Sequence, residues 1–248
     1  MKTSYYGWGL PFDASVHGAQ IDRLIYIFHG FMAVLFIGWF AFLIACLVRF
    51  RQRPGHQAIY NIRHFNTPTY LETGIALFEG FLLFGLAIPM FHQVRMELPP
   101  RDKSLEVRVI AEQFAWNIHY PGSDGLFGKT DIHLISPTNP VGLDRNDPAA
   151  KDDITTINQL HIPIGKPIIV QLTSKDVIHS FFLPVMRVKQ DAIPGMEMPV
   201  WFEAKKTGQF EIACAQLCGL GHYRMRGFFT IHTPEEFETW WKEQTQAK

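Results

Sequence analysis

The chain has 248 residues, with 23 lysines and arginines against 23 aspartates and glutamates, and 14% of its residues are aromatic. Balanced charge removes the broad electropositive field expected of a nucleic-acid-binding protein. A mean hydropathy near zero suits a polar domain averaged with a much more apolar part. Three cysteines cannot build a disulfide framework, and no Cys-x-x-Cys-His occurs, which excludes a covalently attached c-type haem.

The first element is an apolar run from Leu24 to Val48, uncharged apart from His29. As a helix it extends about 37 Å at roughly 1.5 Å per residue, enough to cross a bilayer core. A signal peptide fits less well, because the run starts late, is too long and lacks a small-residue cleavage site. A second, shorter run, Thr73 to Phe91, contains Glu79. Together the runs predict a transmembrane hairpin with helices over about 24–48 and 73–94. Arg49, Arg51, Arg53 and Arg63 lie between them, and no acidic residue occurs from Arg49 to Leu71. That bias predicts a loop on the cytoplasmic or matrix side and both chain ends on the outer side.

Pro99 and Pro100 close this part, so residues 1–100 are expected to form an N-terminal segment and hairpin, and 101–248 a second domain. There, Leu105–Ile110, Pro167–Leu172, Met198–Phe202, Gln209–Ala213 and Phe228–His232 are short, rich in β-branched or aromatic residues and separated by turn formers. This pattern predicts a β-sandwich or barrel. The polar stretch over about 122–158 reads as an extended loop insertion. From Pro234, an amphipathic tail over Glu235–Gln244 is expected to close the barrel with Phe237, Trp240 and Trp241.

The chemistry is concentrated in Cys214-Ala-Gln-Leu-Cys218-Gly-Leu-Gly-His222-Tyr-Arg-Met225. Thiolates with imidazole select copper or zinc, and a thioether favours copper. Zinc bound by Cys214, Cys218 and His222 would lack a fourth ligand, since methionine does not serve zinc. A mononuclear blue-copper site uses one cysteine, so two cysteines suggest two thiolates bridging two copper ions. A second histidine is then required. Asp176-Val-Ile-His179-Ser-Phe-Phe-Leu-Pro184 offers one, although many histidines at strand ends are only satisfied polar residues. A backbone carbonyl at Gln216 would complete the set.

These residues resemble subunit II of cytochrome c oxidase. The resemblance rests on the two-helix anchor, Cys-x-x-x-Cys-Gly-x-x-His-x-x-Met, the Asp176–Ser180 segment, Lys189-Gln-Asp-Ala-Ile-Pro-Gly195 and the cluster Gln113-Phe-Ala-Trp116. It implies an α+β membrane protein, a transmembrane hairpin followed by a cupredoxin-like Greek-key β-barrel with the dinuclear copper centre CuA. By resemblance, Cys214 and Cys218 bridge two copper ions, His179 and His222 bind one each, and Met225 and the Gln216 carbonyl are axial. The implied work is electron entry: cytochrome c or another c-type cytochrome delivers electrons, and haem in subunit I receives them to reduce oxygen to water with proton translocation. The chain would then be part of an oxidoreductase and translocase. Its implied partners are subunit I, subunit III and membrane lipid, but no nucleic acid. Its implied place is the bacterial inner membrane, as a multi-pass protein with the copper domain on the periplasmic side.

Two positions depart from the family pattern. Gln216 stands where many members carry a glutamate that helps hold magnesium, and an amide lacks the charge a hard cation prefers, which leaves magnesium unassigned. Phe114 stands where the family has the tryptophan at which electrons arrive, so Trp116, or the loop around His222 and Tyr223, is expected on the entry path. Glu72 matches a glutamate at the mouth of a proton-uptake channel; the plainer alternative is an interfacial carboxylate at a helix N-terminus. Glu79, near the same helical face, is expected against protein rather than lipid. An acidic rim for a lysine-rich donor would draw on Asp176, Glu197, Asp144, Asp147, Asp152 and Asp153. Among competing readings, quinol oxidase subunits usually lack the copper ligands, and nitrous oxide reductase has a large catalytic domain absent here. A copper-delivery or structural membrane protein would carry a labile single copper.

Overall fold

The computed structural model describes residues 9–55, 57 and 66–246. These divide into two compact units, Gln20–Met96 and the rest of the described chain. In the first, α1 (Gly18–Arg49) is followed by α2 (Thr67–Gly80), which continues through a π-helical stretch (Phe81–Ala87), α3 (Ile88–Phe91) and a second π stretch (His92–Met96). Pro89 explains the irregularity: it has no N–H to donate, and its ring crowds the carbonyl four residues earlier, so wider turns flank it. Gly18–Arg49 and Thr67–Met96 are long and apolar enough to cross a membrane. Phe36, Trp39 and Phe84 stand exposed on them, as expected of surfaces that face lipid or other subunits.

Both helices begin six residues before the apolar runs that announce them (18 against 24, 67 against 73). Gln20, Asp22 and Arg23 in one, and Thr69 and Glu72 in the other, are helical but carry no hydropathy signal. Glu72 therefore lies in the second turn of α2 rather than at its start. The helix dipole, which fades within the first turn, accounts less well for a carboxylate there. Of the arginine-rich connection, Arg63 lies outside the described residues.

The second unit contains two five-stranded sheets. One is ordered β3 (Ile154–Ile157), β2 (Ala115–Tyr120), β1 (Leu105–Glu112), β5 (Pro167–Ser174), β8 (Met198–Glu203). The other is ordered β4 (Gln159–Pro163), β10 (Arg226–His232), β9 (Gly208–Cys214), β6 (His179–Leu183), β7 (Val188–Ala192). Pairing is antiparallel except for β1 with β5 and β4 with β10. Alternate residues of β1 are buried, as in a strand with one face on a core. Val107, Val109, Phe181, Leu183, Phe202, Ile212 and Phe229 from both sheets fill that core.

The expected strands are present but longer, and β2, β3, β4, β6 and β7 join them. β2 is buried on both faces: Trp116, Ile118 and Tyr120 enter the core, while Asn117 and His119 are covered as well. The cover is the stretch read as a loop insertion. His119 Nε2 meets Asp153 Oδ2 at 2.6 Å with both side chains fully buried. Gly128 N donates to the same oxygen, and β3 pairs with β2 at the end of the stretch. Asn158, in the left-handed region with φ 58°, then turns the chain from one sheet to the other. Its side-chain oxygen accepts from Trp116 N, and its carbonyl accepts from Phe228 N.

Two further segments close the domain. α4 (Pro234–Gln246) starts in a reciprocal cap, with Thr233 N donating to Glu236 Oε2 and Glu236 N donating to Thr233 Oγ1. It packs Phe237, Trp240 and Trp241 onto the core. The segment before α1 is also part of this unit. Ala14 N bonds to Val185 O, Val16 N to Glu203 O, and Lys205 pairs with Asp13 at 2.6 Å. A boundary at residue 100 separates these residues from the strands they hold, because backbone pairing over such sequence distance leaves no local pattern.

Candidate metal centre

Strand register brings the donors together. His179 is the first residue of β6, and Phe181, two residues on, pairs with Cys214 at the end of β9. The loop from Cys214 returns through a 3-10 turn at His222–Arg224 to Met225, just before β10. Cys214 N donates to Met225 O, closing the loop at its base. Donor atoms of His179, Cys214 and Cys218 all lie within 4.8 Å of one another. The two sulfurs are 3.8 Å apart. His222 Nδ1 is 3.6 Å from Cys218 Sγ, and Met225 Sδ is 3.7 Å from it. His179 Nδ1 is 3.1 Å from Met225 Sδ, and the Gln216 carbonyl is 3.2 Å from Cys214 Sγ. His179, Cys214 and Cys218 thus form a mutually close group, which His222 and Met225 join through Cys218 and the Gln216 carbonyl through Cys214.

Their chemistry fits a soft metal. Metal–thiolate bonds of about 2.3 Å let sulfurs at this separation bond a common ion. Burial, followed by the neighbouring Cys214, pushes the Cys218 thiol up to about 11, so metal binding must displace protons. His179 turns its Nε2 to Asp176 Oδ1 at 2.9 Å, which leaves Nδ1 for the metal; this is the outer contact that orients ligating imidazoles. Burial raises the Asp176 carboxyl, but hydrogen bonds from His179, Gln113 and Val177 together hold it below the usual carboxylate range.

The surroundings differ from expectation in two respects. Trp116 is fully buried, its ring 6.2 Å from that of His179 and 5.5 Å from Phe181, so it does not reach the surface. The exposed part of the ligand loop includes Leu217, Leu220 and Tyr223, at 78, 96 and 86% exposure, beside Gln216, Gly219 and Arg224. Of the acidic residues expected at a rim, Asp176 and Glu197 are exposed, and those of the insertion are tied into local structure. Asp153 is buried with His119, Asp152 accepts from Ser123 N, and Asp147 and Asp144 accept from neighbouring N–H groups. These carboxylates shape the turns of the insertion. Glu72 and Glu79 lie on exposed positions of α2. Sequence reasoning passed over Gln113, whose side-chain Nε2 donates to the Cys218 carbonyl at 2.6 Å.

Fold and site together define a membrane-anchored, cupredoxin-like metal domain with a thiolate–imidazole–thioether donor set. Residues 105–229 match the family model for the periplasmic domain of cytochrome c oxidase subunit II. The alternative cytochrome c oxidase subunit 2 of Bradyrhizobium diazoefficiens is 35% identical over 96% of this chain and 84% of its own length. Cytochrome c oxidase subunit 2 of Synechocystis is 30% identical, over 93% of this chain and 74% of that one. The crystal structure of the periplasmic domain of subunit II of cytochrome oxidase of Bradyrhizobium japonicum covers 61% of this chain and 99% of its own, at 31% identity and a TM-score of 0.45. The chain belongs to the cytochrome c oxidase subunit II family, and so to the haem–copper oxidases, an oxidoreductase complex of the membrane.

Proposed function

We propose that this subunit is the electron entry of its oxidase, taking single electrons from a c-type cytochrome at a dinuclear copper centre and passing them to haem in subunit I. The observation that carries this reading is the convergence of His179, Cys214 and Cys218 donor atoms within 4.8 Å, with His222 and Met225 on the same sulfur. Cys214 and Cys218 would bridge, His179 and His222 bind one ion each, and Met225 and the Gln216 carbonyl act as weak axial ligands. Two copper ions sharing one electron supply a relay that needs little rearrangement. The protein's part is to hold the ligands still and exclude water, which the buried Cys218, His179 and Met225 serve. With no charge on Gln216, magnesium is not assigned.

Entry would run through the apolar ligand loop at Leu217, Leu220 and Tyr223, with Trp116 an internal ring beside His179. Oxygen reduction and proton pumping belong to subunit I, with subunit III as a further neighbour. Arg49, Arg51 and Arg53 at the end of α1 favour a cytoplasmic loop, and therefore a periplasmic copper domain on a bacterial inner membrane. Glu72 would assist proton uptake from that cytoplasmic side: Glu72→Gln should slow turnover of the assembled oxidase while leaving copper reduction by the donor intact. Copper analysis and near-infrared absorption of the purified oxidase test the central claim. Two copper ions in this subunit with a mixed-valence band support it; a single labile copper without that band favours a copper-delivery role.

A further inference from the structure

The turn between β1 and β2, Gln113–Phe114, lies directly against the ligand loop. Gln113 N donates to Asp176 Oδ2 at 2.7 Å, and Asp176 Oδ1 holds His179 Nε2 at 2.9 Å. The same residue's side-chain Nε2 donates to the Cys218 carbonyl at 2.6 Å. One residue thus reaches both loops that carry ligands, to His179 through Asp176 and to Cys218 directly. Phe114 completes the support. A Cβ at Gly221 would stand 2.4 Å from the Phe114 ring, and one at Gly219 would stand 2.7 Å from Gln113 Nε2. Gly219 also has φ +129°, where side chains are strained. The Gly-x-Gly between Cys218 and His222 is therefore shaped to the surface of this turn, and the Arg224 guanidinium lies over the Phe114 ring at 5.8 Å.

We propose that Gln113 is a positioning residue of the metal centre, holding the Cys218 loop and, through Asp176, the His179 ring in one arrangement before any metal enters. The proposal rests on the assignment of Cys218 and His179 as ligands. A loop with two glycines has many alternative conformations, and the Cys218 carbonyl is tied by a hydrogen bond to a side chain from the β1–β2 turn. Pinning it reduces the ordering that metal binding would otherwise require. It also limits how far the ligands relax when the electron arrives.

The test uses the full chain in detergent and the assembled oxidase. In the metal-free chain, Gln113→Ala and Gln113→Glu should each raise the alkylation rate of Cys218 about fivefold, as expected for losing one hydrogen bond to a partly buried carbonyl. Cys214 should change less than about twofold, because its backbone remains tied to β6 and Met225. In the copper-loaded oxidase, the same variants should shift the near-infrared band and speed copper loss to a chelator, while Gln113→Arg, which keeps a donor, should restore part of both. Unchanged Cys218 alkylation in either variant overturns the proposal. Equal acceleration at both cysteines with a lowered Tm also overturns it, since that is general loosening of the domain. Alkylation needs no metal, so a wild-type oxidase lacking two copper ions would end the dinuclear reading without deciding this one.

Discussion

Four of the chain's histidines sit in two pairs at opposite ends of the β domain, and the pairs have different fates. At one end, His179 and His222 turn their Nδ1 atoms toward the sulfurs of Met225 and Cys218 at 3.1 and 3.6 Å. At the other, His161 Nδ1 faces His232 Nε2 at 2.8 Å, and Trp240 stacks on His161 with centroids 4.4 Å apart. Tyr120 both donates to the His161 carbonyl and accepts from its N–H. Burial, then the neighbouring His232, pushes His161 down to about 4. Burial also lowers His232, against the opposing pull of Glu236. Burial thus favours the neutral form of His161 and His232, while only the other pair has soft donors around it. Nearby imidazoles are not enough for a metal centre; the residues that face them decide between a ligand and a packed aromatic ring.

The largest expected effect separates the two ends directly. Cys218→Ser should remove both copper ions and the near-infrared absorption, whereas His232→Asn should leave two per chain. Elemental analysis of the purified oxidase checks both, and a Cys218→Ser protein with unchanged copper and spectrum would sink the ligand assignment.

Next in size is the clasp over β2. Asp153→Ala leaves His119 Nε2 and Gly128 N buried without their acceptor, at a cost of about 1–3 kcal/mol for each group left unsatisfied. Denaturant titration of the full chain reads this loss, and copper content should hold until the domain unfolds. A loss below about 1 kcal/mol, the range of exposed pairs, would show that the insertion is held by its other contacts.

A smaller effect depends on pH. His161 binds its proton more weakly folded than unfolded, so as pH falls below the unfolded value near 6.5 only the unfolded chain gains that proton. Stability should decline from there toward the folded value of about 4 and then level off. His161→Phe should flatten this slope in thermal melts taken between those pH values; an equally steep decline would assign it to other groups. The mildest change should be Met225→Leu, which removes a weak thioether donor. Potentiometry should find a shifted potential, with one copper lost more readily and both still bound at neutral pH. A potential equal to that of the parent protein would remove Met225 from the ligand set.

The ligand stretch was legible because its donors lie within twelve positions from Cys214 to Met225, and soft sulfur with imidazole restricts the metal. His179 is distant in sequence and was placed only by resemblance; physically, the β6–β9 register brings it to Cys214. Two of the further strands, β2 and β3, have a local reason for lacking a sequence signal. β2 is buried on both faces, which removes alternation, and β3 ends a stretch whose polar residues are consumed by turns and by the His119–Asp153 pair. Between Trp116 and the loop around His222 and Tyr223 the sequence leaves the donor path open, because the burial of Trp116 is not visible in its four-residue cluster.

The order of apolar runs, turn formers and clustered sulfur donors was sufficient to specify two apolar helices, a β domain and a group of soft donors. Hydropathy, residue propensity and ligand softness act over short stretches of chain, so they can be read one segment at a time. Tertiary structure alone decided that Gln113 reaches Cys218, that Asp176, itself exposed, holds His179, and that Asp153 is buried. It also decided that Leu217, Leu220 and Tyr223, and not Trp116, are exposed beside the ligands. Those outcomes depend on which strands become neighbours, and strand pairing joins residues by geometry that no short segment encodes.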